Sequence, residues 1–87
     1  MARYRLLFKK SIARDLRAIP KKDVRRILKR IETLAVNPRP NGCEKLTDQE
    51  RYRVRQGPYR IIYDIQDDAC VVVVVKIGRR GTFPNTD

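Results

Sequence analysis

The apolar pattern predicts an α+β fold: two N-terminal helices packed on a mostly antiparallel four-stranded sheet, in the order β-α-α-β-β-β. Three observations carry this. Residues 2–8 alternate with period two, and three later segments read as strands. Between them, two segments repeat apolar residues at spacings of three and four, as helices do. The chain has 87 residues, 41% of them hydrophobic. That suits one domain over 1–87, which buries only roughly 60–65% of the surface its unfolded form exposes.

The first strand places Tyr4, Leu6 and Phe8 on one side and Arg3, Arg5 and Leu7 on the other. Ser11 offers a helix N-cap. Ile12, Leu16 and Ile19 then form a short apolar stripe that ends at Pro20, because the residue before proline is biased away from the helical region. A second helix carries Val24, Ile27, Leu28, Ile31, Leu34 and Ala35 on one face, and Asn37-Pro38 stops it. Two helices joined by a proline turn read as an antiparallel hairpin. Residues 37–43 form a loop by composition. Residues 51–56, 59–65 and 70–77 are strands, separated by turns at Gly57-Pro58 and Gln66-Asp67-Asp68. The last strand is apolar on both faces and belongs inside the sheet. Gly78-Arg79-Arg80-Gly81 leaves the sheet, and 82–87 form a loose tail.

Charge narrows the function. Twenty-one Lys and Arg against ten Asp and Glu give +11, which points to a polyanionic partner. There is no histidine, and Cys43 and Cys70 make no metal spacing and no disulfide framework, so no metal or cofactor is expected. No apolar run approaches the ~18 residues of a membrane span, and none follows the basic start to make a secretory signal. A reduced, cytoplasmic protein is the expectation. The second helix carries Lys21, Lys22, Arg25, Arg26, Lys29 and Arg30 with almost no acidic partners.

The arginines of the β half are harder to explain as surface decoration. With Gly57-Pro58 as a two-residue turn, Gln56 faces Tyr59, Arg55 faces Arg60, Val54 faces Ile61 and Tyr52 faces Tyr63. Tyr52, Val54, Ile61 and Tyr63 then share the core face, and Arg53, Arg55 and Arg60 the exposed one. A like-charge pair across two strands costs stability unless an anion bridges it. Residue 78 falls near the 57–59 end of the sheet, so Arg80 reaches the same face. Several guanidiniums around one point form a phosphate cradle.

At these residues the chain resembles the RelE/ParE toxins of type II toxin–antitoxin pairs. The resemblance rests on Tyr52-Arg53-Val54-Arg55, then Gly57-x-Tyr59-Arg60-Ile61-Ile62-Tyr63, an acidic turn, a valine strand and Gly78-Arg79-Arg80, with Lys45-Leu46 upstream. It implies two helices on a sheet with a concave basic face. In the RelE branch it implies a ribosome-dependent messenger-RNA endoribonuclease, held in check by an acidic, RelB-like antitoxin. In the ParE branch it implies a non-nuclease poison of DNA gyrase. Carried over by position, Arg60 and Arg80 hold the scissile phosphate, and Arg53 and Arg55 match basic positions beside it. Lys45, Arg51, Arg79 and Phe83 are the expected RNA and ribosome contacts. The chain departs from RelE-like toxins in having Phe83 where a tyrosine often stands, and Arg79 where many relatives have histidine.

Such metal-free cleavage uses the 2′-hydroxyl as nucleophile. It needs a base, an acid for the leaving 5′-oxygen, and cations for the charge on phosphorus. Arginine, with a pKa above ~12, suits only the last role. Should Phe83 prove to be a core residue, the base is to be sought among Glu44, Glu50 and the ribosome.

Overall fold

The computed structural model describes residues 3–46 and 49–79. Arg80 and Phe83 lie outside the described residues. The elements run β1 (Arg5–Phe8), α1 (Ser11–Arg17), α2 (Lys21–Leu34), β2 (Glu44–Lys45), β3 (Arg51–Gln56), β4 (Tyr59–Gln66) and β5 (Val71–Arg79). The sheet has five strands, not four, in the order β1-β5-β4-β3-β2. The extra strand is β2, whose two residues are too few to show a period. All neighbours are antiparallel except β1 and β5, which run parallel. The β5 strand is interior, as its continuous apolar run requires.

Both helices start without a side-chain cap. Ser11 is the first residue of α1 and not its cap; Lys10 takes the cap position with helical dihedrals. Pro20 follows the end of α1 and opens α2. Its carbonyl accepts the amides of Asp23 and Val24 at 3.0 Å, and its own missing N–H costs nothing there.

Ile27, Ile31 and Leu34 of α2 pack on the face formed by Tyr52, Val54, Ile61, Tyr63, Val72, Val74 and Ile77. Leu28 sits at the rim of the stripe and is exposed. The α1 helix lies along β5. The β1 strand ends opposite Val74. Just past that point Asp15 of α1 accepts the Ile77 amide at 3.1 Å, so α1 covers a sheet edge that would otherwise be open. No helix among the described residues is long and apolar enough to cross a membrane.

A polar clamp closes the end of the sheet away from the Gly57 hairpin. Arg39, in the loop before β2, reaches Glu50 at 2.6 Å, Asp67 at 2.8 Å and the Tyr52 hydroxyl at 3.0 Å. Tyr4 donates to Asp67 at 2.7 Å, and Lys45 pairs with Glu50 at 2.9 Å. Hydrogen bonds from Lys45, then Arg39 and Tyr52, hold the Glu50 carboxyl down to about 2. Those from Arg39, then Tyr4, hold Asp67 down to about 2. Depressed carboxyls stabilise the fold fully above their unfolded values and lose that contribution as pH falls through the folded ones. The melting temperature of the native chain is therefore expected to fall between about pH 4.5 and about pH 2. Arg39→Gln should melt lower at neutral pH and show a shallower fall across that window in calorimetry.

Candidate nucleic-acid interface

The β3–β4 hairpin places the basic residues. Its register is the one read from the turn: Gln56 faces Tyr59, Arg55 faces Arg60, Val54 faces Ile61 and Tyr52 faces Tyr63. Gly57 holds φ at +58°, which suits the first position of a two-residue turn and which side-chain-bearing residues avoid. Alternation then sends Tyr52, Val54, Tyr59, Ile61 and Tyr63 to the helix side and Arg51, Arg53, Arg55, Arg60 and Asp64 to the other. The core-side tyrosines are structural. Tyr52 and Tyr63 stack with ring centroids 6.0 Å apart. Tyr63 donates to the Pro38 carbonyl at 2.7 Å, and burial pushes its hydroxyl well above the usual range. Tyr59 donates to Asp23 of α2 at 2.9 Å.

On the arginine face, Arg55 is exposed and directly opposite Arg60. Cβ atoms so placed are roughly 5 Å apart. Arg60 and Arg53 are each only 6% exposed, which corrects the expectation that Arg60 stands on a solvent-facing surface. The burial takes in the heads as well as the stems: Ile62 beside them is 4% exposed, and Arg53 Nε and Nη1 and Arg60 Nε are shielded from solvent. Glu44 of β2 faces Arg53 across the strands, and its Oε2 meets Arg53 Nη2 at 3.0 Å. The Glu44 carboxyl is held below the usual range by its hydrogen bond to Arg53, by that residue's charge, and more weakly by Arg55 and Arg60. One carboxylate thus sits in the field of three guanidiniums, with about half of its side chain exposed.

The other expected contacts scatter. Arg51 shares the face but is held by Asp64 in a fork of 2.6 and 2.9 Å. The hairpin register, counted to its end, pairs these two residues, so this was legible in the sequence. Lys45 is opposite Tyr52 on the helix side and bonded to Glu50. Glu50 is therefore in the clamp, away from Arg55 and Arg60. Arg79 remains in the ladder, opposite Tyr59, with its guanidinium 6.0 Å from that ring on the helix side. Arg53, Arg55, Arg60 and Glu44 are what the fold brings to one face. Glu44 is legible in sequence only as one of two acids; the pairing of β2 with β3 selects it.

Removing the Arg55–Arg60 opposition should stabilise the fold. Arg55→Thr is expected to gain about 0.5 kcal/mol, or about 2–4 °C in melting temperature. The gain should shrink in buffers containing pyrophosphate, which bridges the native pair. Calorimetry with and without the anion checks both.

Residues 6–82 match the family model described as the ParE toxin of the type II toxin–antitoxin system parDE. The chain is 33% identical over 81 residues to a protein of Methanocaldococcus jannaschii named "Putative toxin RelE1", spanning 87% of this chain and 90% of that one. In three dimensions it is similar to the toxin in the archaeal RelE–RelB complex of Pyrococcus horikoshii. The TM-score is 0.78 at 29% identity, over 92% of this chain and 98% of that one. The RelBE2 toxin–antitoxin complex of Mycobacterium tuberculosis contains a chain matching with a TM-score of 0.80 at 24% identity, over 92% and 94% of the two chains; at that identity the likeness speaks to the fold.

Proposed function

Since the chain belongs to the RelE/ParE family of type II toxins, we propose that it acts as the RelE branch does, as a metal-independent endoribonuclease that cuts messenger RNA on the ribosome in the cytoplasm. The observation that carries this reading is the shared face of Arg53, Arg55, Arg60 and Glu44. A partner antitoxin of the RelB kind silences it; the Pyrococcus relative is seen in such a complex.

The chemistry divides among these groups. The RNA 2′-oxygen attacks the adjacent phosphorus, its proton passes to the Glu44 carboxylate, and the bond from phosphorus to the 5′-oxygen breaks. The leaving oxygen takes a proton from water. The products are a 2′,3′-cyclic phosphate and a 5′-hydroxyl. Arg55 and Arg60, joined by Arg80 according to the family pattern, bind the extra negative charge on the phosphoryl oxygens. Arg53 holds Glu44 in place and keeps it ionised. Phe83 supplies a stacking surface for a base. The ribosome orients the message, and orientation alone accounts for ~7–11 kcal/mol of a barrier.

The match to a ParE family model supports a second reading, a gyrase poison in which this face is dispensable. Primer extension across a translated message separates the two. Cuts within A-site codons establish the nuclease. Arrest of replication with intact messages establishes the poison.

Glu44→Gln should lower the single-turnover cleavage rate about 100-fold or more. The native rate should be flat from about pH 6 to 8, because a carboxylate held below its usual range is ionised throughout. The variant's residual rate should climb with pH as hydroxide takes over. Arg60→Lys keeps the charge but loses the fork, and a loss of about 10²–10³-fold is expected. Arg80→Ala should act similarly. A native rate that rises with pH as the variant's does would remove Glu44 from its role.

A further inference from the structure

The end of β5 decides how the chain meets the arginine face. Ile62 pairs with Lys76 and Tyr63 with Val74, so Val75 is an extra residue, a β-bulge. The bulge reverses the alternation of the strand. Its buried helix-side positions run Val72, Val74 and then Ile77. Arg79 is the next on that side, opposite Tyr59, while Gly78 takes the arginine face opposite Arg60. Without the bulge, Arg79 would stand on the arginine face and the residue after it on the helix side. Backbone pairing holds this end on one flank only. β1 stops opposite Val74, so Gly78 and Arg79 have their strand partners in β4. Tyr59 is the first residue of β4, and Pro58 before it has no N–H with which to extend the ladder. Side chains supply the missing restraint. The Arg79 guanidinium lies 6.0 Å from the centre of the Tyr59 ring, at cation–π distance. Tyr59 is 4% exposed, and its hydroxyl donates to Asp23 of α2 at 2.9 Å. The helix fixes the ring, and the ring fixes the guanidinium.

We propose that Arg79 is a positioning residue, held on the helix side by the Tyr59 ring and Asp23 so that the chain leaves β5 with Arg80 directed to the arginine face. The proposal rests on the phosphate-binding role given to Arg80 above, and it replaces the expected RNA contact of Arg79 with an indirect part. Arg79 does not touch the anion. Fixing the backbone of a residue beyond the ladder costs entropy, and an exit direction set in advance reduces what anion binding must offset. The bulge and the stack act together: Val75 sets which side each of the two arginines takes, and Tyr59 holds the first of them there.

The test is a double-mutant cycle on the full chain, read as pyrophosphate affinity by calorimetry at about 0.15 M salt, where distant charges are largely screened. Arg79 is exposed, so its substitution should leave circular dichroism native. Arg79→Ala should weaken binding about fivefold, and Arg79→Lys, which keeps a cation over the ring, less than about twofold. Tyr59→Leu changes no charge and should lose as much as Arg79→Ala. In a chain already carrying Arg80→Ala, Arg79→Ala should cost less than about 1.5-fold, because nothing remains to be positioned. Side-chain proton resonances of Arg79 should lie upfield in the native chain, under the ring current of Tyr59, and return to ordinary positions in Tyr59→Leu. A loss on Arg79→Ala that persists in the Arg80→Ala chain makes Arg79 a direct anion contact and overturns the proposal. So does an Arg79→Ala chain that melts lower yet binds pyrophosphate as the native one does, which makes the stack structural only. An Arg80→Ala chain with native affinity, or a native chain that binds no pyrophosphate, overturns it as well. If the native chain cuts no message, the nuclease reading fails, while the cycle still decides the part of Arg79.

Discussion

The β3–β4 register is the constraint on which the site depends. Tyr52, Val54, Ile61 and Tyr63 are buried on one face, and side chains alternate with period two. A slip of one residue would bury Arg53 and Arg55 under α2 and expose the tyrosines. Burial of the core face therefore forces three arginines together on the opposite one. The mutual repulsion of Arg55 and Arg60 is tolerated because the hydrophobic term on the far side is larger. A full core side chain contributes about 1.5–3 kcal/mol, against roughly 0.2–1 kcal/mol for a like-charge cross-strand pair.

The polar clamp at the other end of the sheet has a share in placing the arginine face. Arg39 ties the loop after α2 to Glu50 and Asp67, and Lys45 joins through Glu50. That loop leads directly into β2. The position of Glu44 opposite Arg53 therefore depends on ion pairs on the other side of the sheet. The two-residue strand has too few backbone hydrogen bonds to fix itself, and the clamp supplies the missing restraint.

Charge on this chain falls into three kinds. Some is structural, as in Arg39 and Arg51, whose forks are filled by carboxylates. Some is poised, as in Arg53, Arg55 and Arg60 around one carboxylate. A third kind runs along α2, where Lys21, Lys22, Arg25, Arg26, Lys29 and Arg30 make no ion pair with any described residue. The first kind lowers the free energy of folding, as does the Arg53–Glu44 pair, whereas Arg55 opposite Arg60 and the run of cations along α2 raise it through repulsion.

The sequence by itself determined what depends on local period and turn chemistry. Gly57-Pro58 and the alternation on either side settle the hairpin and its facing pairs, including Arg55 with Arg60. The continuous valines settle β5 as an interior strand, and the spacing of Ile27, Ile31 and Leu34 settles the buried side of α2. Only the tertiary structure decided which charges are spent. A two-residue strand has no period, so the pairing of β2 that sets Glu44 against Arg53 could not be read. Lys45 and Arg79 share the basic composition of the site, yet strand alternation carries both to the helix side. The burial of Arg60 and Arg53 follows from neighbours distant in the chain. Solvent exposure is a property of the assembled surface, and no stretch of residues encodes it alone.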